Sequence, residues 1–143
     1  MKLQLLIPQY SEDESIVCNM LDSIKVQQGV DLNEIEVLIG NDGSDIKLSE
    51  DFLNSYPFSI KYFQYEHSSP AGTRQKLFEE STAEYIMYCD ADDMFLTNLA
   101  LYTIFAYIQE GFDALVCAFV EELKDKRTGM SRYYTHAKDD RFV

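Results

Sequence analysis

Short apolar runs alternate with helical patterns along most of the chain. Five β-prone runs precede turn-forming or polar residues, at 2–8, 35–40, 60–65, 85–89 and 113–119. Runs of this length that are rich in apolar residues are typical of strands buried on both faces of a parallel sheet. Between the runs, apolar residues recur at helical spacing. The alternation predicts an α/β fold: a mostly parallel sheet flanked by helices in right-handed crossovers.

Capping residues mark where the helices begin. The segment 11–14 has the Ser-x-x-Glu spacing of a capping box and precedes a helix that ends near Gly29. Ser69 followed by Pro70 predicts the start of another helix, with Leu77 and Phe78 facing inward. Helices are predicted over 49–56, 71–81 and 99–108, and a hairpin turn over 125–129 between strand-like flanks.

Three carboxylates follow the fourth apolar run within four residues. The run, predicted to be a buried central strand, leads directly into Asp90, Asp92 and Asp93. Ligands of open α/β sheets bind beyond the carboxyl ends of the strands, and clustered carboxylates repel one another unless they share a cation. Mg²⁺ and Mn²⁺ take oxygen ligands and leave positions for substrate phosphates. The cluster predicts a divalent-metal site for a phosphorylated substrate; a solvated acidic turn is the alternative.

Parallel strands would bring three loops to one edge of the sheet. The loops at 8–13, 41–45 and 90–93 each follow a strand, so topology alone places them together. Familiar nucleotide and calcium motifs are absent from them. The first loop lacks the Gly-x-Gly-x-x-Gly of a Rossmann site, and an EF-hand starting at Asp90 would need Gly and Glu where Phe95 and Leu101 stand.

Charge and length narrow the classes of partner. The chain has 143 residues, which predicts one domain over 1–143, and a formal net charge of −13. So acidic a surface argues against nucleic acid and anionic membrane as partners. An anionic ligand would need a bridging cation or a local arginine.

The cysteines and the apolar runs indicate a reduced compartment. The three cysteines share no motif spacing, and Cys89 and Cys117 lie in apolar runs that predict burial. The sequence shows neither a signal peptide nor an apolar stretch of roughly 18 residues that could span a membrane. These features predict a cytoplasmic location, with the parent protein or its partners able to hold the chain at the cytoplasmic face of a membrane.

Four segments in register resemble glycosyltransferase family 2, whose donor-binding part has the GT-A fold. In the family's order these segments are 7–12 (Ile-Pro-Gln-Tyr-Ser-Glu), 41–44 (Asn-Asp-Gly-Ser), 71–75 (Ala-Gly-Thr-Arg-Gln) and 84–93, which ends in Asp-Ala-Asp-Asp. The resemblance covers essentially the whole chain. Gln9 stands where the family usually has Thr, and Gln75 where it usually has Asn.

The resemblance implies a pocket for the base of a nucleotide-sugar. Asp42 would accept a hydrogen bond from the imide N–H of a uracil-type base. Pro8 and Tyr10 would shape the pocket, Tyr10 by stacking, and Glu12 would either touch the nucleotide or favour the helix N-terminus. The alternatives from the residues alone are a turn-forming Asp42 and a packing role for Tyr10.

The same resemblance implies a site for the diphosphate and the sugar. Arg74 would lie near the base or diphosphate; its alternative is an ion pair with Glu79, Glu80 or another acid. Asp90 and Ala91 would contact the ribose or sugar side. Asp92 would ligate the metal, with Asp90 as a second candidate ligand, and Asp93 would act through a water or bind the loop.

The function implied is metal-dependent transfer of a sugar, with inversion, from a UDP-sugar to a hydroxyl of a glycan or similar acceptor. Mn²⁺ or Mg²⁺ would stabilise the leaving nucleoside diphosphate. In this family the general base lies in a later segment, so the chain is expected to be the donor-binding part of a longer enzyme, with its base outside. A non-catalytic nucleotide-sugar-binding module and a metal-dependent phosphatase remain alternatives.

Overall fold

The first four predicted strands form one parallel sheet. In the computed structural model, which describes residues 2–111, 114, 115, 117, 119–124 and 131–136, they are β1 (Leu3–Gln9), β2 (Ile35–Asn41), β3 (Ser59–Gln64) and β4 (Tyr85–Tyr88). The strand order is β3-β2-β1-β4, and each neighbouring pair is parallel. The mostly parallel α/β sheet predicted from the sequence is confirmed.

Helices follow the strands at the predicted places. Ser69 caps its helix by accepting the backbone N–H of Gly72, as predicted. The predicted capping box at 11–14 is wrong: the cap is Asp13, whose carboxylate accepts the N–H groups of Ser15 and Ile16. The helices are α1 (Glu14–Lys25), α2 (Glu50–Asn54), α3 (Pro70–Glu80) and α4 (Ala100–Gln109), with a 3₁₀ turn at Leu32–Glu34.

The chain divides into two units, Met1–Thr103 and Ile104–Val143. In the second unit β5 (Phe119–Lys124) pairs antiparallel with β6 (Ser131–His136), which confirms the strand-like flanks of the predicted hairpin. Its turn at 125–129 lies outside the described residues. The strand predicted over 113–119 is wrong where it is described, because residues 114, 115 and 117 are not in a strand and the ladder begins at Phe119. Strand pairing, rather than the apolar run, fixes where this strand starts.

Both faces of the parallel sheet are buried. On one face Leu6 and Leu38 pack with Leu77 of α3, and all three side chains are inaccessible to solvent. Residues of the opposite face, among them Leu5 and Val37, are equally buried. A parallel sheet requires this double cover, and α1 contributes a buried stripe of its own. The stripe consists of Val17, Met20, Leu21 and Ile24.

Two expectations about burial are wrong. Phe78 is 48% exposed, because the residue after Leu77 points about 100° away around the helix. β4 is not a central strand: it comes last in the order of the described sheet, and its residues are half-buried or exposed. The strand that carries the acidic cluster is therefore less enclosed than its apolar sequence predicts.

Of the cysteines, Cys89 is buried as predicted, whereas Cys117 is exposed, so the prediction of burial is wrong for Cys117. Within the part of the chain that the structure describes, no helix is long and apolar enough to cross a membrane.

A polar row crosses the sheet near the amino ends of the strands, with Gln4 and Glu36 buried and Ser59 exposed at its end. Gln4, Glu36 and Ser59 lie opposite one another in register. The Glu36 carboxylate accepts hydrogen bonds from the Gln4 amide, the Ser59 hydroxyl at 2.8 Å and Lys61 Nζ at 3.2 Å. Gln4 Oε1 in turn accepts the backbone N–H groups of residues 82 and 83. Burial would raise the pKa of Glu36, but these hydrogen bonds hold the pKa below its usual value.

We expect Glu36→Gln to destabilise the fold at pH 7 by about 2 kcal/mol, because an amide leaves the donors around it imperfectly paired. The folded-state pKa of Glu36 is lowered. Its stabilisation is therefore present above the unfolded-state pKa and is lost as pH falls through the folded-state pKa. Urea unfolding from pH 7 to pH 3 should show wild type and variant converging in acid. Equal losses of stability across that range would contradict the assignment.

Candidate functional site

The carboxyl ends of the strands bring the predicted loops to one edge. Gln9 at the end of β1 lies opposite Asn41 at the end of β2, and the N–H of Asp42 donates to the carbonyl of Gln9 at 2.9 Å. On the other side of β1, the N–H of Cys89 donates to the carbonyl of Leu6 at 3.1 Å. The loops at 8–13, 41–45 and 90–93 therefore meet at the same edge, as the topology predicts.

A buried amide network fixes the first two loops. The Gln9 amide donates to the carbonyls of Glu12 at 2.8 Å and Ile46 at 3.1 Å, and its oxygen accepts from the Tyr62 hydroxyl at 3.2 Å. Asn41 donates to the same Ile46 carbonyl at 2.8 Å. Gln9 stands where the family resembled by the sequence usually has Thr. Its longer side chain hydrogen-bonds to the loop after β1 and to the loop after β2.

Asp42 lies almost completely out of solvent, with 3% of its surface exposed. One carboxylate oxygen, Oδ1, accepts the N–H of Ser68 at 2.8 Å and its hydroxyl at 3.0 Å. The other, Oδ2, lies 3.1 Å from Nδ1 of His67. Burial would raise the pKa of Asp42, but the hydrogen bonds from Ser68, the nearby hydroxyl of Thr73 and the charge of His67 keep the pKa below its usual value. The side chain is a fixed, ionised acceptor.

An aromatic pair stands beside Asp42. The ring centroids of Tyr10 and His67 lie 5.0 Å apart, and Tyr10 is 50% exposed. The carboxylate of Glu12 accepts the backbone N–H of Tyr10 at 2.8 Å, so Glu12 shapes the loop that presents Tyr10. Pro8 is half-buried in β1, opposite Gly40 in register.

His67 has no counterpart among the residues selected from the sequence. The sequence did contain a feature that could have indicated His67: residues 65–69 follow β3 and therefore lie at the same sheet edge as the other loops. Gly43 lets this loop come close: with φ of 75°, a Cβ added there would lie 2.5 Å from the backbone nitrogen of His67. Only glycine suits that combination of positive φ and close approach.

At the acidic end, Arg74 forms an ion pair with Asp90 through Nη2 and Oδ1. Arg74 lies on α3 and Asp90 follows β4, so helix and strand end bring together two residues predicted for the site. The alternative expected for Arg74 was an ion pair with Glu79, Glu80 or another acid, and Asp90 is such an acid; Glu79 accepts instead from the amide of Gln75 at 2.9 Å. The guanidinium charge of Arg74 therefore lies beside Asp90, the first carboxylate of the acidic cluster.

The acidic residues form a turn, in which the N–H of Asp93 donates to the carbonyl of Asp90 at 3.2 Å. Ala91 is buried within the turn, whereas Asp92 is exposed. Burial, followed by the negative charges of Asp90 and Asp92, raises the pKa of Asp93. This repulsion is the kind that a shared cation relieves.

The cluster suits a hard divalent cation in its chemistry, because it offers carboxylate oxygens from Asp90 and Asp92. Among the described residues, no group of three or more His, Cys, Asp or Glu side chains is arranged as a ready-made metal site. The protein would therefore supply only part of the coordination shell, and phosphate oxygens and waters would complete it.

Comparisons with known proteins agree with this geometry. The sequence profile described as "Glycosyl transferase family 2" matches residues 5–142. A teichoic acid poly(glycerol phosphate) polymerase of Staphylococcus epidermidis is 33% identical over 110 residues, 76% of this chain and 15% of that protein. A cholesterol galactosyltransferase of Borreliella burgdorferi is 26% identical over 95 residues, 64% of this chain and 25% of that protein. The chain thus spans a quarter or less of these two relatives.

Solved structures share the fold. S. aureus TarS 1–349 superposes with a TM-score of 0.66 at 23% identity, over 77% of this chain and 33% of that one. The mannosyltransferase PcManGT from Pyrobaculum calidifontis, solved with GDP-Man and Mn²⁺, gives a TM-score of 0.64 at 17% identity, over 82% of this chain and 34% of that one. The GT-A fold expected from the sequence is confirmed.

Proposed function

The chain belongs to glycosyl transferase family 2, and from that membership we propose that it is the donor-binding part of an enzyme that transfers a sugar from a nucleotide-diphospho-sugar to a hydroxyl acceptor. The observation that carries the proposal is the joint placement, at one sheet edge, of an aromatic pair beside a buried carboxylate and of an Arg-paired carboxylate turn. The first suits a nucleobase, and the second suits a diphosphate with its cation.

We propose a uridine nucleotide as the donor. TarS has been solved with UDP-GlcNAc and with UDP, which supports this choice. Pro8, Tyr10 and Asp42 form the base end of the site, with Glu12 holding the Tyr10 loop in place. Arg74, Asp90 and Ala91 form the diphosphate and sugar end.

A divalent cation, Mn²⁺ or Mg²⁺, is part of the proposal, and Asp92 and Asp90 are the residues that would hold it. When bound, it would supply Lewis-acid stabilisation of the departing diphosphate. PcManGT with Mn²⁺ supports divalent-metal use in this fold. Within the chain, Arg74 provides the positive charge that offsets the phosphates in a protein with a net charge of −13.

The proposed reaction inverts configuration at the anomeric carbon. The acceptor oxygen attacks that carbon as the bond to the diphosphate oxygen breaks, and the hydroxyl proton passes to a general base. This base is unassigned among the described residues, so the chain's own task is to orient the donor and stabilise the leaving group. We propose that the protein works in the cytoplasm, consistent with the lack of a disulfide among the described cysteines, Cys18, Cys89 and Cys117.

Calorimetric titration with UDP, GDP and ADP, each with and without Mn²⁺, tests the proposal. The expected result is UDP binding that requires Mn²⁺, with weaker or no binding of ADP. UDP binding without turnover by a longer chain that includes the segment after this one, in the presence of a UDP-sugar and a hydroxyl acceptor, would favour the non-catalytic module. Release of inorganic phosphate without any nucleotide requirement would favour the phosphatase. Absence of all nucleotide binding would overturn the donor-site assignment for this chain.

A further inference from the structure

We propose that Ser23 and Gln27, two buried polar residues at the carboxyl end of α1, are positioning residues that hold the acidic turn at 90–93 in the shape that takes up the cation. The inference rests on the proposed function, because it gives α1 a part in the same donor site. It predicts that the loss of either side chain weakens metal-dependent nucleotide binding and leaves the loops of the base pocket in place.

Ser23 and Gln27 are buried although both are polar. Ser23 stands in the last turn of α1, next to Ile24 of the buried stripe, and Gln27 follows the end of the helix. Their exposed fractions are 5% and 7%, as low as those of core residues. A buried polar side chain is costly unless it is hydrogen-bonded, so the partners of these two residues indicate what the residues do.

The side-chain amide of Gln27 joins the end of α1 to the start of α4. Its Nε2 donates to the carbonyl of Ser23 at 3.0 Å and to the carbonyl of Thr97 at 2.7 Å. Its Oε1 accepts the backbone N–H of Leu101, in the first turn of α4, at 2.9 Å. Helix ends leave such carbonyl and N–H groups without partners inside the helix, so one side chain satisfies a group at each of two helix ends.

The hydroxyl of Ser23 holds the chain nearer to the acidic turn. It donates to the carbonyl of Met20 at 2.7 Å and accepts the backbone N–H of Phe95 at 3.0 Å. Phe95 follows closely after Asp93, the last carboxylate of the turn. Residues 94–99, all of them described, form neither helix nor strand, so contacts from α1 rather than a backbone ladder place this segment.

These contacts give the acidic turn a second anchor. Before the turn, the N–H of Cys89 donates to the carbonyl of Leu6 in β1 at 3.1 Å; after the turn, Phe95 is bound to Ser23. The three carboxylates repel one another without a cation, so a turn anchored only at β4 would spread. Ligand groups must stay within about 0.5 Å of their productive geometry, and the anchor on α1 opposes such spreading.

The test measures UDP affinity in saturating Mn²⁺ for wild type, Gln27→Met and Ser23→Ala. Methionine keeps the length of the Gln27 side chain but lacks the amide, and alanine removes only the hydroxyl of Ser23. Each variant should bind UDP about tenfold more weakly, the lower end of what the loss of a group that orients metal ligands costs. The affinities are compared at a temperature at which circular dichroism shows every variant folded.

Ser23→Thr distinguishes the hydroxyl of Ser23 from its packing. Ser23 borders a groove of about 330 Å³ that Asn19, Val26 and Phe95 also line, so the added methyl group has room. Threonine keeps the hydroxyl and should therefore restore the UDP affinity that Ser23→Ala loses.

Two controls separate positioning from a general loss of stability. Gln28→Met removes the same amide from the next residue, which is exposed and contacts this segment through its backbone N–H, 2.8 Å from the carbonyl of Asn98. Glu36→Gln perturbs the polar row at the opposite ends of the strands. Both variants should bind UDP as wild type does.

Amide NMR spectra of the protein without nucleotide or metal report on the turn directly. In Gln27→Met the signals of residues 90–95 should shift and broaden, whereas those of 41–45, in the loop after β2, should stay in place. Equal changes in both loops would show a general structural change and would overturn the inference.

The possible failures are distinguishable. Wild-type UDP affinity in Gln27→Met or in Ser23→Ala, or an equal loss in Gln28→Met, would overturn the role of these residues while leaving the donor site standing. A Ser23→Thr variant that binds no better than Ser23→Ala would overturn the role of the hydroxyl. Wild-type protein that binds no UDP in the presence of Mn²⁺ would overturn the proposed function and this inference with it.

Discussion

Replacing Asp92 by Asn is expected to abolish metal-dependent nucleotide binding while leaving the fold intact. Loss of an outer-shell partner costs about 10- to 100-fold in metal affinity, so loss of a direct ligand should cost at least about 100-fold. The fold should tolerate the change because Asp92 is exposed and its charge is one cause of the raised pKa of Asp93. Titration of the variant with Mn²⁺ and UDP, beside thermal unfolding, checks both parts.

Glu84→Gln is the matched control. It removes the same charge from an exposed residue at the other end of β4, away from the acidic turn. It should bind UDP and Mn²⁺ as wild type does. Unchanged UDP affinity in Asp92→Asn would show that the metal assignment is wrong.

The largest loss of stability is expected from Leu77→Ala. Leu77 is fully buried between α3 and the sheet, in one cluster with Leu6 and Leu38. Deleting a buried leucine side chain costs about 2–5 kcal/mol, and the packing here indicates about 3 kcal/mol. Gly40 lies so close that an added Cβ would be 3.1 Å from the Leu77 side chain, so the strand has little room to collapse into the cavity. Urea unfolding measures the change.

Phe78→Ala provides the comparison, because Phe78 is larger but 48% exposed. Phe78→Ala should lower the free energy of unfolding by about 1 kcal/mol or less, as substitutions at partly exposed positions do. A greater loss from Phe78→Ala than from Leu77→Ala would contradict the inward face assigned to α3. Since Arg74 lies one turn before Leu77 on the same helix, Leu77→Ala should also weaken nucleotide binding in the protein that remains folded.

Strand ends were the most predictable part of the site. Apolar-rich runs mark β1, β2 and β4, and parallel order then forces the loops after these strands to one edge. The ion pair of Arg74 with Asp90 follows from this placement, because both predicted residues reach that edge. At this edge the residue types and the parallel strand order indicate the same site, and such agreement between local and global features makes a site predictable from sequence.

The remaining features depend on contacts between distant segments. The Ser-x-x-Glu spacing does not reveal that Asp13 caps α1, because Glu14 instead accepts the backbone N–H of the distant Ser49 at 2.7 Å. His67 carries no motif, and its position beside Asp42 depends on two loops meeting at Gly43. The row at Glu36 likewise requires the strand register. In each case tertiary partners, rather than local propensity, determine the structure.

The strand order has a consequence for how the protein folds. β1 lies between β2 and β4, and Leu3 faces both Ile35 and the far more distant Tyr85. Closing a longer loop costs more chain entropy, so β1–β2 pairing is favoured to form earlier than β1–β4 pairing. The acidic turn follows β4, and it can reach the other two loops only when that last pairing closes. The site at this edge of the sheet is therefore completed late in folding, after β1, β2 and β3 have paired.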